Sequence, residues 1–459
     1  MAQGRPLFRR SLKKQRIKLT PTQIIALAFA GIIVLGTVLL SLPAASRDGQ
    51  PVSVLDALFT ATSATCVTGL VRFDTWSQWS GLGQTVILCL IEIGGLGFMS
   101  AASLVVFLFR RRVSLRQRMV MAQAMSLNEL EGAQKLQKWV ICGSLSIQLL
   151  GALVLTLRFL PDYGFRQATV WGVFHSVSAF CNAGFDIFGS VQPGSSILCM
   201  NNDPVVLITL MVLVVVGGLG FFVWEEVVRL RRFGKFSVYT KLVLLTTGAL
   251  IVVGAVLTLL LEWNNPKTLA DMSPGQKVLN AFFQSVTLRT AGFASVDQGG
   301  LTDASKAVSM VLMLIGGSSG STAGGLKTVS FMVLLLFICT KARGRHTVNV
   351  FHRSIPGEKV MDAMTIAGIM VMLAVFGAVF ICATSPIGFT DSLFEAVSAL
   401  ATVGLTTGVT ASLSIPAQVL IVLYMYFGRV GVLTISLGFL MGDRAADRFQ
   451  YAQTNLLIG

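Results

Sequence analysis

Charge is scarce in this sequence. Asp, Glu, Lys and Arg together make up 12% of its 459 residues, against about 25% in ordinary soluble domains, so composition excludes a typical water-soluble fold. Histidine is scarcer still: His175 stands in an apolar stretch, where packing is its expected role, and His346 and His352 stand in a basic loop. The seven cysteines, at 66, 89, 142, 181, 199, 339 and 382, form no C-x-x-C pair, so neither a zinc site nor a disulfide scaffold is indicated. No G-x-G-x-x-G turn follows a strand-like run, which means that any nucleotide control must come from another polypeptide. No nucleophile with an acid–base pair and no metal cluster is visible, and the chain does not read as an enzyme.

Apolar residues are plentiful, at 54% of the chain. They fall into stretches near 22–42, 82–109, 141–157, 205–223, 242–261, 307–339, 363–383 and 417–440, each near or above the ~20 residues that a helix needs to span hydrocarbon. Eight spans are expected. The segments 1–21, 110–138, 224–241, 340–360 and 441–459 hold 26 Lys or Arg and seven Asp or Glu, whereas 43–81, 158–206, 262–306 and 383–416 hold eight basic and twelve acidic residues. By the positive-inside rule the first group is cytoplasmic, with both termini. The net charge of +15 is thus a topological signal that calls for no nucleic acid, and an anionic lipid surface would also favour it.

Four times a phenylalanine is followed ten residues later by a glycine: Phe59 and Gly69, Phe174 and Gly184, Phe282 and Gly292, Phe394 and Gly404. The spacing predicts four copies of one unit, each with two spans and therefore all inserted the same way. Such copies fit rotation about an axis normal to the membrane, unlike inverted-topology repeats. The expected fold class is an all-α membrane protein with four M1-P-M2 repeats (helix, re-entrant pore helix and filter loop, helix) around a central pseudo-fourfold pore. The boundaries are set at 1–21 for a cytoplasmic basic N-terminus, then 22–125, 126–235, 236–350 and 351–459 for the repeats.

The segments 53–65, 168–180, 276–288 and 391–401 read as short helices, with Ser273-Pro274 as an N-cap and first helical position and Ser53 with Asp56 as a weaker start signal. Each short helix stops before a glycine, and extended backbone there must line a watery cavity rather than hydrocarbon. No acidic side chain occurs among Val67-Thr68-Gly69, Asn182-Ala183-Gly184, Thr290-Ala291-Gly292 and Thr402-Val403-Gly404. Main-chain carbonyls are then the dense source of negative dipole, as in potassium filters, and the carboxyl ends of the four short helices add to it.

These features resemble the Trk/Ktr/HKT superfamily of potassium transporters, and most of all its KtrB-type membrane subunits. The residues that carry the resemblance are S-A-T-C-V-T-G-L (63–70), H-S-V-S-A-F-C-N-A-G-F (175–185), F-F-Q-S-V-T-L-R-T-A-G-F (282–293) and S-A-L-A-T-V-G-L-T-T-G (398–408). The second helices add I-G-G-L-G-F (93–98), V-G-G-L-G-F (216–221), I-G-G-S-S-G (315–320) and F-G-R-V-G-V (427–432). What the resemblance implies is a potassium-conducting pore in a bacterial inner membrane, assembled as a homodimer under a cytosolic RCK-type (KtrA-like) nucleotide-binding ring. Potassium is then the substrate, and sodium-dependent uptake is compatible with the family. Some HKT members carry serine at the first filter glycine and lean toward sodium; all four positions here are glycine. An ion-coupled secondary transporter with alternating access is the alternative reading.

The third repeat departs from the others. Gly316-Gly317-Ser318-Ser319-Gly320-Ser321-Thr322-Ala323-Gly324-Gly325-Leu326-Lys327 holds five glycines and four hydroxyl residues in twelve positions, and each interior glycine costs a helix about 1 kcal/mol relative to Ala. A break into an irregular loop is expected at 316–327, placed to act as the gate. Arg429, beside Gly428 at the equivalent depth of the fourth repeat, needs an interior partner. The carbonyls and hydroxyls of that loop, or Glu92, are the candidates. Arg289 is expected to point behind its turn and tie it down. The G-G-L-G-F motifs read as helix packing by small residues, and Trp76, Trp79, Trp139, Trp224 and Trp263 as interfacial anchors.

Overall fold

The computed structural model describes residues 21–97, 133–345 and 347–431. Most of the basic segment 110–138 and the apolar tail 455–459 lie outside these residues. Among the described residues the regular structure is helical apart from a hairpin of β1 (Asn349–Val350) and β2 (Arg353–Ser354).

In chain order the main helices are α1 (Pro21–Leu40), α2 (Val54–Thr65), α3 (Gly81–Leu96), α4 (Ala133–Phe180), α5 (Pro204–Leu219), α6 (Phe221–Leu230), α7 (Val238–Glu262), α8 (Pro274–Thr287), α9 (Asp303–Leu314), α10 (Thr328–Ala342), α11 (Gly357–Thr384), α12 (Phe389–Leu400) and α13 (Ile415–Val430). Among the described residues, Gln23–Leu40, Trp139–Phe180, Val238–Glu262 and Gly357–Thr384 are long and apolar enough to cross a membrane. A fifth span results if α5 and α6, bent by 96° about Gly220, count as one. Helices α3, α10 and α13 are apolar but shorter. Leu149, Leu150, Leu157, Leu260, Met372 and Phe376 are among the large apolar side chains left exposed on the long helices, as a lipid-facing surface requires.

Local chemistry starts many of these helices. Ser53 accepts from the Asp56 amide at 3.2 Å, Asp203 caps Pro204 and its successors through Val205 N at 3.0 Å, and Ser414 accepts from Ala417 N at 3.4 Å. Ser273 and Gln276 form a reciprocal capping box with Pro274 in the first turn. Each such cap is worth about 1 kcal/mol. Helix α4 contains a second device: at Gly164, three residues after Pro161, φ of +73° and ψ of 164° interrupt the helix and divide it into two limbs.

The apolar stretches 82–109, 205–223, 307–339 and 417–440 do not run as single helices. Helices α3, α5 and α13 stop where Gly97, Gly220 and Gly431 take φ of +82°, +93° and +95°, a backbone region that suits glycine. Between α9 and α10 the chain leaves helix at Ile315 and re-enters it only at Thr328. Two of the five tryptophans expected at the interface differ from that expectation. Trp79 is 1% exposed and Trp224 8%, Trp224 donates its indole N–H to Val216 O at 2.8 Å, and both are core residues rather than interfacial anchors.

Candidate functional site

Helices α2, α8 and α12, with the second limb of α4, converge so that their carboxyl ends turn sharply at the four glycines. Each turn is wound the same way. Gly69, Gly184, Gly292 and Gly404 have φ of +98°, +70°, +81° and +94°, and the residues two before them, Val67, Asn182, Thr290 and Thr402, have φ of +56°, +58°, +63° and +52°. Left-handed backbone at a β-branched residue is strained and persists only where the surroundings impose it. Here they do. Thr68 N donates to Ser63 O at 2.8 Å, Ala183 N to Ser178 O at 2.7 Å, Val403 N to Ser398 O at 2.8 Å and Ala291 N to Thr287 O at 3.0 Å. Side chains at the same places finish the turn. Ser63 and Ser398 accept from Gly69 N and Gly404 N, both at 3.1 Å, and Ser178 and Thr287 donate to Phe185 O and Phe293 O, both at 2.7 Å.

The glycines define how the turns meet. A Cβ on Gly69 would lie 2.5 Å from Ala183 O, on Gly184 2.8 Å from Ala291 O, and on Gly292 2.7 Å from Val403 O; on Gly404 it would collide with Thr68 O. Each turn therefore abuts the next in sequence, and the fourth abuts the first. This is a closed four-membered ring of main chain with no space for a side chain between its members. A second set of glycines seats the ring: Cβ atoms at Gly94, Gly217 and Gly428 would collide with the carbonyls of Thr65, Phe180 and Leu400, the last residues of three of the converging helices. Close packing is thus what the first glycine of each G-G-L-G-F motif does, and Gly428 does the same against α12.

One side of the ring opens into a cavity of about 310 Å³ whose lining includes all four glycines and Asp74, Asp186 and Asp297, with Arg72 the basic member. Asp74 caps a short helix by accepting from Ser77 N at 2.8 Å. Burial, and then the neighbouring Asp74 charge, push the Asp186 carboxyl up to about 7.

The 316–327 loop closes on the other side. Ser318 N donates to Gly218 O at 3.0 Å and Thr322 N to Gly217 O at 3.3 Å. The Thr322 hydroxyl lies 3.2 Å from Phe180 O and 3.1 Å from Asn182 Oδ1, so this end of the loop touches the second turn. At the other end a Cβ on Gly324 would lie 3.0 Å from Ala401 O and against the Thr402 hydroxyl. The loop thus runs from the second turn to the fourth, across the ring. Its base is tied by Gly316 N to Leu326 O at 2.9 Å, by Lys327 Nζ to Ala323 O at 2.9 Å and by Arg289, which donates to Gly316 O at 3.2 Å and Thr328 Oγ1 at 3.1 Å. Tyr239 donates to Ser319 O at 2.9 Å.

Arg429 donates to the carbonyls of Thr322 and Gly94 and to Gly95 O at 2.9 Å. It therefore joins the loop to the end of α3. Glu92 is engaged elsewhere: its Oε2 accepts from Gln148 Nε2 at 3.0 Å and from Cys181 Sγ at 3.4 Å. His175 packs, with Nδ1 2.7 Å from Trp171 O and its ring stacked on Phe188 at 4.0 Å.

Of the residues singled out from sequence, the twelve around the glycines form one ring, and residues 316–325 with Lys327 and Arg429 form the assembly across it. Sequence reasoning missed the supporting hydroxyls, although a serine six residues before the glycine recurs at three of the four turns. It also missed the cavity aspartates, whose convergence from three different inter-helix segments leaves no local signal.

Main-chain turns closed into a ring among membrane-length helices define a multi-pass membrane protein with a main-chain site on its axis. The chain belongs to the TrkH family of cation transport proteins, whose model matches residues 1–445. It is 37% identical over 452 residues to the potassium/sodium uptake protein NtpJ of Enterococcus hirae, covering 97% of this chain and 99% of that one. It is 36% identical over 433 residues to the Ktr system potassium uptake protein B of Bacillus subtilis, covering 94% and 96%. The crystal structure of the potassium transporter TrkH from Vibrio parahaemolyticus superposes with a TM-score of 0.72 at 17% identity, covering 94% of this chain and 86% of that one. That likeness speaks to the fold.

Proposed function

We propose that this chain is the potassium-conducting subunit of a bacterial uptake system, with the ring of Val67–Gly69, Asn182–Gly184, Thr290–Gly292 and Thr402–Gly404 as its selectivity filter. The observation that carries the reading is the closure of the ring, in which each glycine abuts the carbonyl preceding the next. Carbonyls so placed replace a hydration shell. The hydroxyls of Thr68, Thr290 and Thr402 are buried without a protein partner and are free to meet a cation, while the cavity aspartates draw cations toward the ring. All four turns carry glycine, which favours potassium over sodium.

In this reading each repeat crosses the membrane twice, eight spans in all, with α3, α5, α9/α10 and α13 in the second spans and α6 turned away at the end of α5. The aspartate-lined cavity faces outward and both termini face the cytoplasm, in the inner membrane. The 316–327 loop is the gate, held by Arg429, which also places a positive charge on the inner path. The relatives named for a Ktr system support assembly with a second component. Here that component is a cytosolic nucleotide-binding RCK ring acting on a homodimer of this chain. Potassium against sodium flux into proteoliposomes, with and without the cytosolic component, tests the proposal. Unitary currents above ~10⁵ ions per second would exclude a carrier cycle, whose domain motions take μs–ms.

A further inference from the structure

Helix α6 begins one residue after α5 and leaves at 96° to it, so with α5 crossing the membrane, as in the reading above, α6 runs close to the membrane plane. Its first turn is core: Phe221, Val223 and Trp224 are buried. From Val227 onward the segment emerges. Val227, Val228 and Phe233 are 37%, 56% and 47% exposed, and Arg229, Arg231, Arg232 and Lys235 are exposed beside them. The nearby acids do not neutralise this cluster. Glu225 lies 3.3 Å from Arg229, and Glu226 accepts from Ser237 N at 2.7 Å and Ser237 Oγ at 2.8 Å. No described acidic side chain pairs with Arg231, Arg232 or Lys235.

We propose that Val227–Lys235 docks the phosphate headgroups of anionic lipids, and that occupancy there is felt by the 316–327 loop. Exposed apolar side chains interleaved with arginines on a helix lying across the membrane normal match the boundary between headgroups and acyl chains, which satisfies both at once. An acidic protein surface would meet only the charges.

The connection to the loop is short and rests on the reading of that loop as the gate. Phe221 N, at the start of α6, donates to Gly320 O at 2.9 Å, and a Cβ on Gly220 would lie 2.7 Å from Ser318 Oγ. Glu226 ties α6 to the start of α7, where Tyr239 donates to Ser319 O at 2.9 Å. A displacement of α6 by bound headgroups is thus transmitted to Ser318, Ser319 and Gly320 through two hydrogen bonds and one close contact.

The test uses the full chain and the triple variant R231Q/R232Q/K235Q, with R232Q alone in case the triple fails to fold. Retained phosphatidylglycerol is counted by native mass spectrometry, and rubidium flux is compared between phosphatidylcholine vesicles and vesicles that also contain phosphatidylglycerol. A basic residue at an anionic surface contributes roughly fivefold in affinity, so the wild type should retain several-fold more of the anionic lipid than the variants. Its flux should change about threefold or more with phosphatidylglycerol, and that of the triple variant should not. Tyr239→Phe should keep the lipid while weakening the flux response. Equal retention by wild type and triple variant, an unaltered lipid response in the variant, or a response to soluble acidic protein in place of lipid would overturn the proposal. Absence of flux from every sample would count against the transport reading instead, and retention alone would then decide the lipid site.

Discussion

The guanidinium of Arg429 and the carbonyl of Thr322 are hydrogen-bonded on the side of the ring away from the aspartate cavity, and the same guanidinium holds Gly94 and Gly95 of α3. One side chain near the end of α13 therefore fastens the 316–327 loop to the end of α3. Hydrogen bonds to a charged group are worth ~1.5–3 kcal/mol, and a shift of 1.4 kcal/mol in the loop's equilibrium is tenfold.

Arg429→Ala is accordingly expected to raise basal potassium flux by roughly tenfold or more. Arg429→Lys should fall between, since a single ammonium cannot span carbonyls that a guanidinium fork bridges. Flux per folded protein, with the thermal midpoint as a control, checks this. Unchanged flux in well-folded Arg429→Ala would show that the residue only packs.

Replacing residues 317–325 by a short linker removes the contacts to Gly217, Gly218 and Arg429 together. Basal flux should rise and lose its dependence on any cytosolic regulator. Flux equal to the wild type would remove the loop from the gate.

Alanine at Gly292 or Gly404 combines a left-handed backbone with a collision against the Val403 or Thr68 carbonyl. The backbone term alone is about 1–3 kcal/mol, and the contact is with main chain that has no rotamer to escape into. Both variants are expected to lose potassium flux by at least about tenfold and to discriminate less against sodium. Competition between rubidium and sodium in vesicles measures both.

External pH should matter through Asp186. Its carboxyl is raised to about 7, so it is charged above that value and neutral below it. Acidifying from about pH 8 to about pH 6 removes one negative charge from the cavity over the ring, and uptake at low potassium is expected to fall by about twofold. Asp186→Asn should lie at the acidic level throughout and respond less to pH. A variant that keeps the full response would place the titration elsewhere.

The ring was legible in the sequence because glycine is the only residue that satisfies both a positive φ and the approach of a neighbouring carbonyl, so the four glycines could not vary without breaking it. The 316–327 loop was legible for a related reason: five glycines and four hydroxyl residues cannot hold a helix together. Arg429 could be assigned to the loop because a deep charge needs acceptors and the loop is rich in them. Its hold on Gly94 and Gly95 was not legible, since helix carbonyls carry no mark in the sequence. Nor were the left-handed residues Val67, Asn182, Thr290 and Thr402, three of them β-branched and so poor candidates for a positive φ; the tertiary contacts impose the conformation against local preference. The apolar run 205–223 read as continuous because the motif that packs α5 through Gly217 also breaks it at Gly220, and periodicity does not separate the two roles. Trp79 and Trp224 lie near helix ends in sequence, but their burial depends on neighbours that sequence does not place.

Ion flux into proteoliposomes containing the purified chain, with potassium, rubidium and sodium compared in the wild type and in Gly404→Ala, tests the main-chain ring most directly. The account predicts saturable uptake that is faster for potassium and rubidium than for sodium and that collapses in the variant. Uptake no greater than in empty vesicles, or a cation preference untouched by Gly404→Ala, would contradict it.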